Sequence, residues 1–331
     1  MIRTRRKKAE GAITLASQRP DVFDPAYAPT ANPGTAKLAV IACNFNFANY
    51  KRPQHNLLRF LRQMDAAGVP VYGIELVKVG QAALMAGNPN WKIVQGTDRS
   101  LLWQKEVLMN NAARLVPSHI KYIAAVDTDV VFMNPRWVED TVEALKEHKV
   151  VQPFARCVWT DEIGLPNLTR ESCAKAGLSE KWNGHPGFAW AARRDFFLDV
   201  GFYPYALLGA GDTVTAVGTL GIEMLPSSRA AVGMPNMING VLDEWMARAR
   251  RYMGDTKLGY VDGDLWHEWH GDIKNRAYHT RAEIIKDMDI LNDVRMNSMG
   301  FLEWTKQADN GMILKVAEYF KGRKEDGNSN A

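Results

Sequence analysis

Three observations predict an α/β protein. Short apolar runs rich in β-branched residues alternate with segments of helical periodicity along most of the chain. The first strand, helix and second strand have the lengths of a βαβ unit. A later apolar run, Tyr122 to Pro135 (YIAAVDTDVVFMNP), carries Asp127 and Asp129 in its middle. A buried carboxylate is costly unless it is paired or holds a metal. At spacing i, i+2 on an extended chain both carboxylates project to one side. The run is therefore expected to be a single buried strand that delivers two acids to one hard cation.

The elements follow in order. Residues 1–36 are rich in Pro, Ala and Asn around DPAYAPTANPG and read as an extended arm. Folding starts at Lys37 with the strand KLAVIACNFNF, which brings Asn44 to its C-terminal end, where open α/β sheets place ligand groups. The next segment spaces Leu57, Leu58, Phe60, Leu61 and Met64 as one helix face, and Gly68 suits its C′ position. VPVYGIELV is a second strand with Glu75 near its end. A short strand from Trp91 to Val94 leads through a Gly-Thr-Asp turn bearing Asp98 to a helix over about Ser100–Leu115, which carries Lys105 and Asn110. After the two-acid strand, Asn134 is the expected N-cap and Pro135 the N1 residue of the following helix. KVVQPFAR is another strand, and 156–185 reads as irregular. GHPGFAWAARRDFFLDVGF reads as strand, turn and helix. LLGAGDTVTAVGTL leads small residues into a helix, INGVLDEWMARARRYM is an amphipathic helix, and FLEWTKQ and MILKVAEYF are assigned to a last helix. The tail KGRKEDGNSNA, residues 321–331, is polar and expected to be disordered.

The totals bound the function. The chain has 331 residues, 46% hydrophobic and 24% charged, and is of ordinary globular composition. Its apolar runs fall far short of the ~18 residues of a membrane span. No apolar segment follows MIRTRRKK, so no secretory signal is expected. Three widely spaced cysteines exclude a disulfide framework and a Cys-based zinc site, and suit a reducing cytoplasm. Five basic residues lie in the first eight positions; removing them from 41 leaves 36 basic against 37 acidic residues. The basicity is thus confined to an arm, which is either solvated chain or a phosphate-seeking segment for DNA.

Asp127 and Asp129 allow few chemistries. A Walker B acid needs a P-loop, and GxxxxGK[ST] does not occur. A phosphoaspartyl phosphatase motif needs Thr where Val131 stands. A divalent cation on a diphosphate remains, since Mg²⁺ or Mn²⁺ is commonly held by one or two carboxylates plus substrate phosphates. YIAAVDTDVVF after a βαβ unit resembles the Asp-x-Asp strand of GT-A-fold glycosyltransferases, whose Rossmann-like half binds a nucleotide-sugar. GHPGFAWAARRDFFLDVGFYP is similar to the family's acceptor-side segment. LLGAGDTVTA resembles its Gly-x-Glu-Asp segment, with Asp212 matching the catalytic base and Gly211 departing from the usual Glu. WHGDIKNRAYHTR resembles a His-Gly…Arg-x-Tyr segment of bacterial and phage members.

The resemblance implies a GT-A fold with a mixed central sheet flanked by helices, and a metal-dependent glycosyltransferase, inverting, over residues 37–320, with 37–135 as donor half and 136–320 as acceptor half plus C-terminal helices. Asp127, Asp129 and His270 would hold Mn²⁺ or Mg²⁺, with His267 as the alternative imidazole. Asp212 would deprotonate the acceptor hydroxyl. Asn44, Glu75, Asp98, Lys105 and Arg276 would contact the nucleotide-sugar, with Asn110 and Arg281 as further candidates. Trp182, Trp190 and Trp245 would either stack on a sugar or sit in the core. A basic arm and phage-type likeness imply a hydroxymethylated base in DNA as acceptor and a cytoplasmic location, the host's if phage-encoded. A cell-envelope saccharide or a small molecule is the alternative acceptor. A nucleotidyltransferase is less suited, because NFNFANYKRP after the first strand lacks a Gly-rich basic loop. A non-catalytic nucleotide-sugar-binding protein is the third reading.

Overall fold

The computed structural model describes residues 34–178, 183–223, 239–278 and 280–327. Residues 1–33, which hold the basic arm, and Trp182 lie outside them. The expected class is observed: a seven-stranded mixed sheet carries helices on both faces. The strands are β1 (Leu38–Phe45), β2 (Val71–Lys78), β3 (Trp91–Gly96), β4 (Tyr122–Val126), β6 (Val150–Gln152), β10 (Ala189–Arg193) and β11 (Gly259–Tyr260), in the order β11-β6-β10-β4-β1-β2-β3. β1 runs parallel to β2 and β4, whereas β10 is antiparallel to β4. A second sheet has the order β5-β12-β7-β8-β9: β5 (Val130–Phe132), β7 (Arg156–Thr160), β8 (Pro166–Ser172), β9 (Gly184–His185) and β12 (Asp264–His267). β13 (Val294–Met296) pairs with β14 (Leu302–Trp304).

The alternation of β1 explains the two layers. Ala39, Ile41 and Cys43 face one core and Leu38, Val40 and Ala42 the other. α1 (Lys51–Ala66) covers the second face with Leu57, Leu58, Phe60, Leu61 and Met64, each worth about 1.5–3 kcal/mol relative to exposure. α3 (Trp137–Glu147) joins it there through Trp137 and Leu145. α2 (Lys105–Ala113) covers the first face with Val107, Leu108, Met109 and Ala112. α4 (Cys173–Ala176) is a single turn. α5 (Gly211–Leu220), α6 (Asn239–Met253), α7 (Ile290–Asp293) and α8 (Asn310–Gly322) pack mainly on that first face.

Several expectations are corrected. The Tyr122–Pro135 run is two strands in two sheets, with Asp127–Asp129 in the bend between them. It is apolar on both sides of the acids because each half is buried separately, Val126 in one sheet and Val130 in the other. The helix expected from Ser100 starts at Lys105, after a 3₁₀ turn at Asp98–Ser100 capped by Thr97. α3 starts at Trp137 rather than Pro135; Asn134 accepts the Arg136 N–H and so closes the turn before the helix. The stretch 156–185 is not irregular but supplies β7, β8, α4 and β9. FLEW is strand rather than helix: Leu302 and Trp304 are buried while Glu303 between them is partly exposed, a period of two. Residues 321–327 of the tail are ordered, held where Asp326 meets the start of α1 and Lys324 meets Gly271. The three cysteines are free and buried. Among the described residues no helix is long and apolar enough to cross a membrane.

Candidate metal centre and the adjoining acidic pocket

Two clusters of charged side chains meet where β4 and β12 end. The first is organised by Lys105, the opening residue of α2. Its Nζ lies 2.6 Å from Asp127 Oδ1 and 3.0 Å from Asp212 Oδ2. Asp212 enters from the first turn of α5. Glu106, the next residue of α2, is buried beside them. Burial opposes the charge on Lys105, but Asp127, Asp212 and Glu106 together hold its pKa well above the ordinary value. One ammonium therefore faces three acids and cannot compensate them all. Burial pushes Glu106 up to about 8, with Lys105 opposing and Asp212 adding. Asp127 is raised too, by burial first, against Lys105 and with Asp212 and Asp129 adding. Both partners of the Lys105–Asp127 pair thus move upward: Lys105 because three carboxylates surround it, Asp127 because burial outweighs the one cation it shares. Met109, Phe188, Trp190 and Phe202 form the apolar wall of a small pocket between these groups.

Gly211 has a steric basis. A Cβ there would lie 1.9 Å from Glu106 Oε1, so the carboxylate of Glu106 fills the space beside Asp212. This is the position where the resembled pattern has a Glu and this chain does not.

The second cluster is Asp129, His267 and His270, whose ligand atoms all lie within 4.8 Å of one another. The β5–β12 register sets His267 opposite Val130, and the Glu268 N–H donates to the Asp129 carbonyl at 2.7 Å. The Thr160 hydroxyl donates to the His267 carbonyl and accepts the Trp269 N–H, which fixes the chain between the two histidines. Glu268 turns away to pair with Arg59. His270 Nε2 lies 2.8 Å and His267 Nε2 3.6 Å from Asp129 Oδ2. Burial pushes His267 down to about 4, against Asp129, so it is neutral, as a ligand must be. Despite burial, His267 and His270 hold Asp129 well below the usual carboxylate range. Burial and Arg276 disfavour charge on His270, but Asp129 and Glu325 outweigh them and raise its pKa.

Asp129 Oδ1 and His267 Nδ1 are buried without a hydrogen-bond partner among the described residues. An orphaned carboxylate oxygen beside two imidazoles is costly as it stands and suits a divalent cation, two histidines and one carboxylate being a recurrent metal-binding set.

The sequence-predicted residues divide into three groups. Lys105, Asp127 and Asp212 form one cluster; Asp129, His267, His270 and Arg276 the other, with Arg276 Nη2 2.6 Å from His270 Nε2. The arrangement in which both acids of the run hold one cation is not observed: Asp127 turns to Lys105, and Asp129 to the imidazoles. Asn44 and Glu75 engage one another at 2.8 Å, and Glu75 accepts the Leu84 and Met85 N–H groups, so this pair holds a loop. Asp98 is exposed on its 3₁₀ turn. Asn110 clamps the backbone of Phe202 through two hydrogen bonds. Arg281 is buried under Gly209. Trp245 is core and donates to the Gly201 carbonyl, and Trp190 lines the pocket. Sequence reasoning missed Glu106 and Glu325. Glu106 had a signal, a charge set against Val107, Leu108 and Met109 at the start of an apolar helix; Glu325 had none.

The fold and these clusters define a mixed α/β protein with a candidate metal centre at the end of its central sheet. No family model matches the sequence, and no curated protein sequence matches it. Among solved structures the chain is similar to the catalytic domain of Drosophila beta1,4-galactosyltransferase 7 in complex with xylobiose, at 14% identity and a TM-score of 0.34. A mutant of that enzyme in complex with manganese, UDP-Gal and xylobiose matches at 12% identity and a TM-score of 0.34. Both matches cover 57% of this chain and 63% of the other, so the chain spans under two thirds of the galactosyltransferase structures. The 4-diphosphocytidyl-2C-methyl-D-erythritol synthase of Anaerococcus prevotii matches at 9% identity over 69% of this chain and 89% of its own, with a TM-score of 0.32.

Proposed function

We propose that the protein is a metal-dependent glycosyltransferase that moves a sugar from a nucleotide-sugar to an acceptor hydroxyl with inversion. The observation that carries this reading is the junction of the two clusters: a candidate cation site and a lysine-bridged pair of acids meet at one bend of the chain. Asp129, His267 and His270 would hold the cation. Two imidazoles make Mg²⁺ the poorer match, so Mn²⁺ is favoured. A bound divalent ion supplies charge neutralisation on a diphosphate leaving group.

The chain's own residues do the rest. Arg276 presents a guanidinium beside the centre and suits a phosphate oxygen. Lys105 holds Asp127 and Asp212 in one orientation. Asp212 is the group placed to take the proton from the acceptor hydroxyl as that oxygen attacks the anomeric carbon. Phe188, Trp190 and Phe202 keep the pocket wall apolar and limit water there. The acceptor we assign to the reading is a hydroxymethylated base in DNA, bound with help from the basic arm. The arm test is direct: deleting residues 1–8 weakens DNA binding and flattens its salt dependence, and unchanged binding removes the DNA acceptor.

The experiment for the reaction is incubation with Mn²⁺ and a panel of nucleotide-sugars, following the products. Release of a nucleoside diphosphate with sugar transfer, lost in Asp129→Ala and reduced in Asp212→Asn, is the expected result. Release of inorganic diphosphate instead identifies a nucleotidyltransferase. Binding of the nucleotide-sugar without turnover identifies a binding protein.

A further inference from the structure

The C-terminal segment beyond α8 does not leave the body. It returns across α1 and lies on the residues that follow the candidate metal centre. Asp326 accepts the Lys51 and Arg52 N–H groups at 3.0 and 2.7 Å, supplying the N-terminal cap that α1 lacks from its own Tyr50 side chain. The Tyr50 hydroxyl donates to the Lys321 carbonyl and accepts the Lys324 N–H. Gly271, the residue after His270, sits at φ +87°, and a Cβ there would meet the Lys324 carbonyl oxygen at 2.7 Å. The segment and the histidine loop are therefore packed backbone to backbone, which only glycine allows at that position.

This packing delivers one carboxylate to the centre. Glu325 Oε1 lies 3.3 Å from His270 Nδ1. Glu325 is held in turn by Arg323, whose Nε donates to the same oxygen at 2.7 Å. Arg323 is itself locked between the Trp103 ring, 5.2 Å from its guanidinium carbon, and the Tyr319 hydroxyl. A carboxylate only accepts hydrogen bonds, and a guanidinium only donates them. Glu325 at Nδ1 thus calls for a proton there. At Nε2 the neighbours differ: Arg276 at 2.6 Å calls for a lone pair, and Asp129 Oδ2 at 2.8 Å for a proton or a cation. With the Nδ1 proton held by Glu325, the neutral ring keeps its lone pair on Nε2, the atom a cation seated beside Asp129 would take.

We propose that Glu325 is a positioning residue for the metal centre: residues 323–327 form a clasp that fixes the ring of His270 and its tautomer, so that Nε2 serves as ligand. The inference rests on the metal reading above. Carboxylates behind ligating histidines have this effect, and their loss typically costs 10–100-fold in metal affinity.

The test is Mn²⁺ binding to the full chain, measured by electron paramagnetic resonance of free Mn²⁺ and by calorimetry, with no turnover needed. The expected results are binding by the wild type, loss in Asp129→Ala, a 10–100-fold weaker Kd in Glu325→Ala, and partial rescue in Glu325→Gln, which keeps an acceptor oxygen. Asp326→Asn serves as the control for the clasp as mere structure, since it loosens the same segment at α1 and leaves Glu325 in place. If Asp326→Asn lowers Tm as much as Glu325→Ala and weakens Mn²⁺ equally, Glu325 has no special role and the inference falls. Should Glu325→Ala fail to fold, Glu325→Gln decides alone: a Co²⁺ absorption spectrum and Mn²⁺ affinity both identical to wild type overturn the inference. Wild-type protein that binds no Mn²⁺ overturns the metal reading, and this one with it.

Discussion

Replacing Glu106 by Gln tests the electrostatics of the pocket through stability alone. Glu106 is 4% exposed, and the one ammonium beside it is shared with Asp127 and Asp212. Burial, opposed by Lys105, moves its pKa from an ordinary 4.5 to about 8. The sign follows from proton counting. Between about 4.5 and 8 the folded chain keeps a proton on Glu106 that the unfolded chain has released. The folded state binds more protons, so stability falls as pH rises through this window, by up to about 1.4 kcal/mol per pH unit, and the fall ends above the folded pKa. Gln has nearly the same shape and cannot ionise. At pH 5 the variant and the wild type should therefore agree within about 1 kcal/mol. By pH 8 the variant should be more stable by a few kcal/mol. At about 2 °C per kcal/mol for a chain of this size, that is a Tm gain of roughly 4–8 °C. The assay is calorimetric unfolding of both proteins in chelator at pH 5, 6.5 and 8. Groups outside the cage are common to the two proteins, so their difference reports Glu106 together with its coupling to Lys105, Asp127 and Asp212. Parallel Tm curves across the three pH values would refute the reasoning.

Three further predictions concern the same framework. Gly211→Ala sets a Cβ 1.9 Å from Glu106 Oε1 and should cost about 1–3 kcal/mol by overpacking; combining it with Glu106→Ala should recover at least about 1 kcal/mol, measured as a coupling in urea denaturation. Lys105→Met leaves Asp127 and Asp212 facing each other without their cation and should cost about 3 kcal/mol near neutral pH, with part of the loss restored at pH 4; an unchanged urea midpoint at pH 7 would count against the cage. Glu75→Ala strands the Leu84 and Met85 N–H groups at roughly 1–3 kcal/mol each, and hydrogen exchange at those two amides should accelerate while Mn²⁺ affinity holds.

The legible part of this chain was whatever a local pattern encodes. β1 and β2 read cleanly because each is a nearly continuous apolar run, buried along almost its whole length, and α1 because its apolar residues keep helical spacing and are the ones buried. The Tyr122–Pro135 run was read as important for a sound reason, two acids among apolar neighbours, but its geometry was not local. Whether Val126 and Val130 belong to one strand or to two depends on their partners, β1 and β10 for the first and β12 for the second. Those partners lie far along the chain. Glu75 was read as a ligand group because it ends a strand; that Leu84 and Met85 would occupy it is again a non-local fact. Glu325 sits in a stretch whose composition matches disordered chain. Its order comes from the open N-terminus of α1 and from Gly271, neither of which marks residue 325.

The same non-local construction explains why charge can be gathered here at all. A residue inside a sheet has its backbone bonds fixed and its side chain aimed by the pleat. Residues 127–129 lie between two sheets, so their side chains are aimed instead by what binds their backbone. The Asp127 N–H donates to the Phe188 carbonyl, and the Asp129 carbonyl accepts from Glu268. Phe188 holds φ at +81° and Ala210, just before α5, at +74°, a region that costs a non-glycine residue about 1–2 kcal/mol. Such strain persists only where surrounding contacts over-determine it, and it clusters at functional sites. Phe188 is so determined: its ring stacks on His267 at 4.8 Å between centroids and lies 4.4 Å from His185. One strained residue thus orients Asp127 through its carbonyl and touches His267 through its ring. It links the lysine cage and the metal candidate through a single residue, which two independent surface clusters would not require.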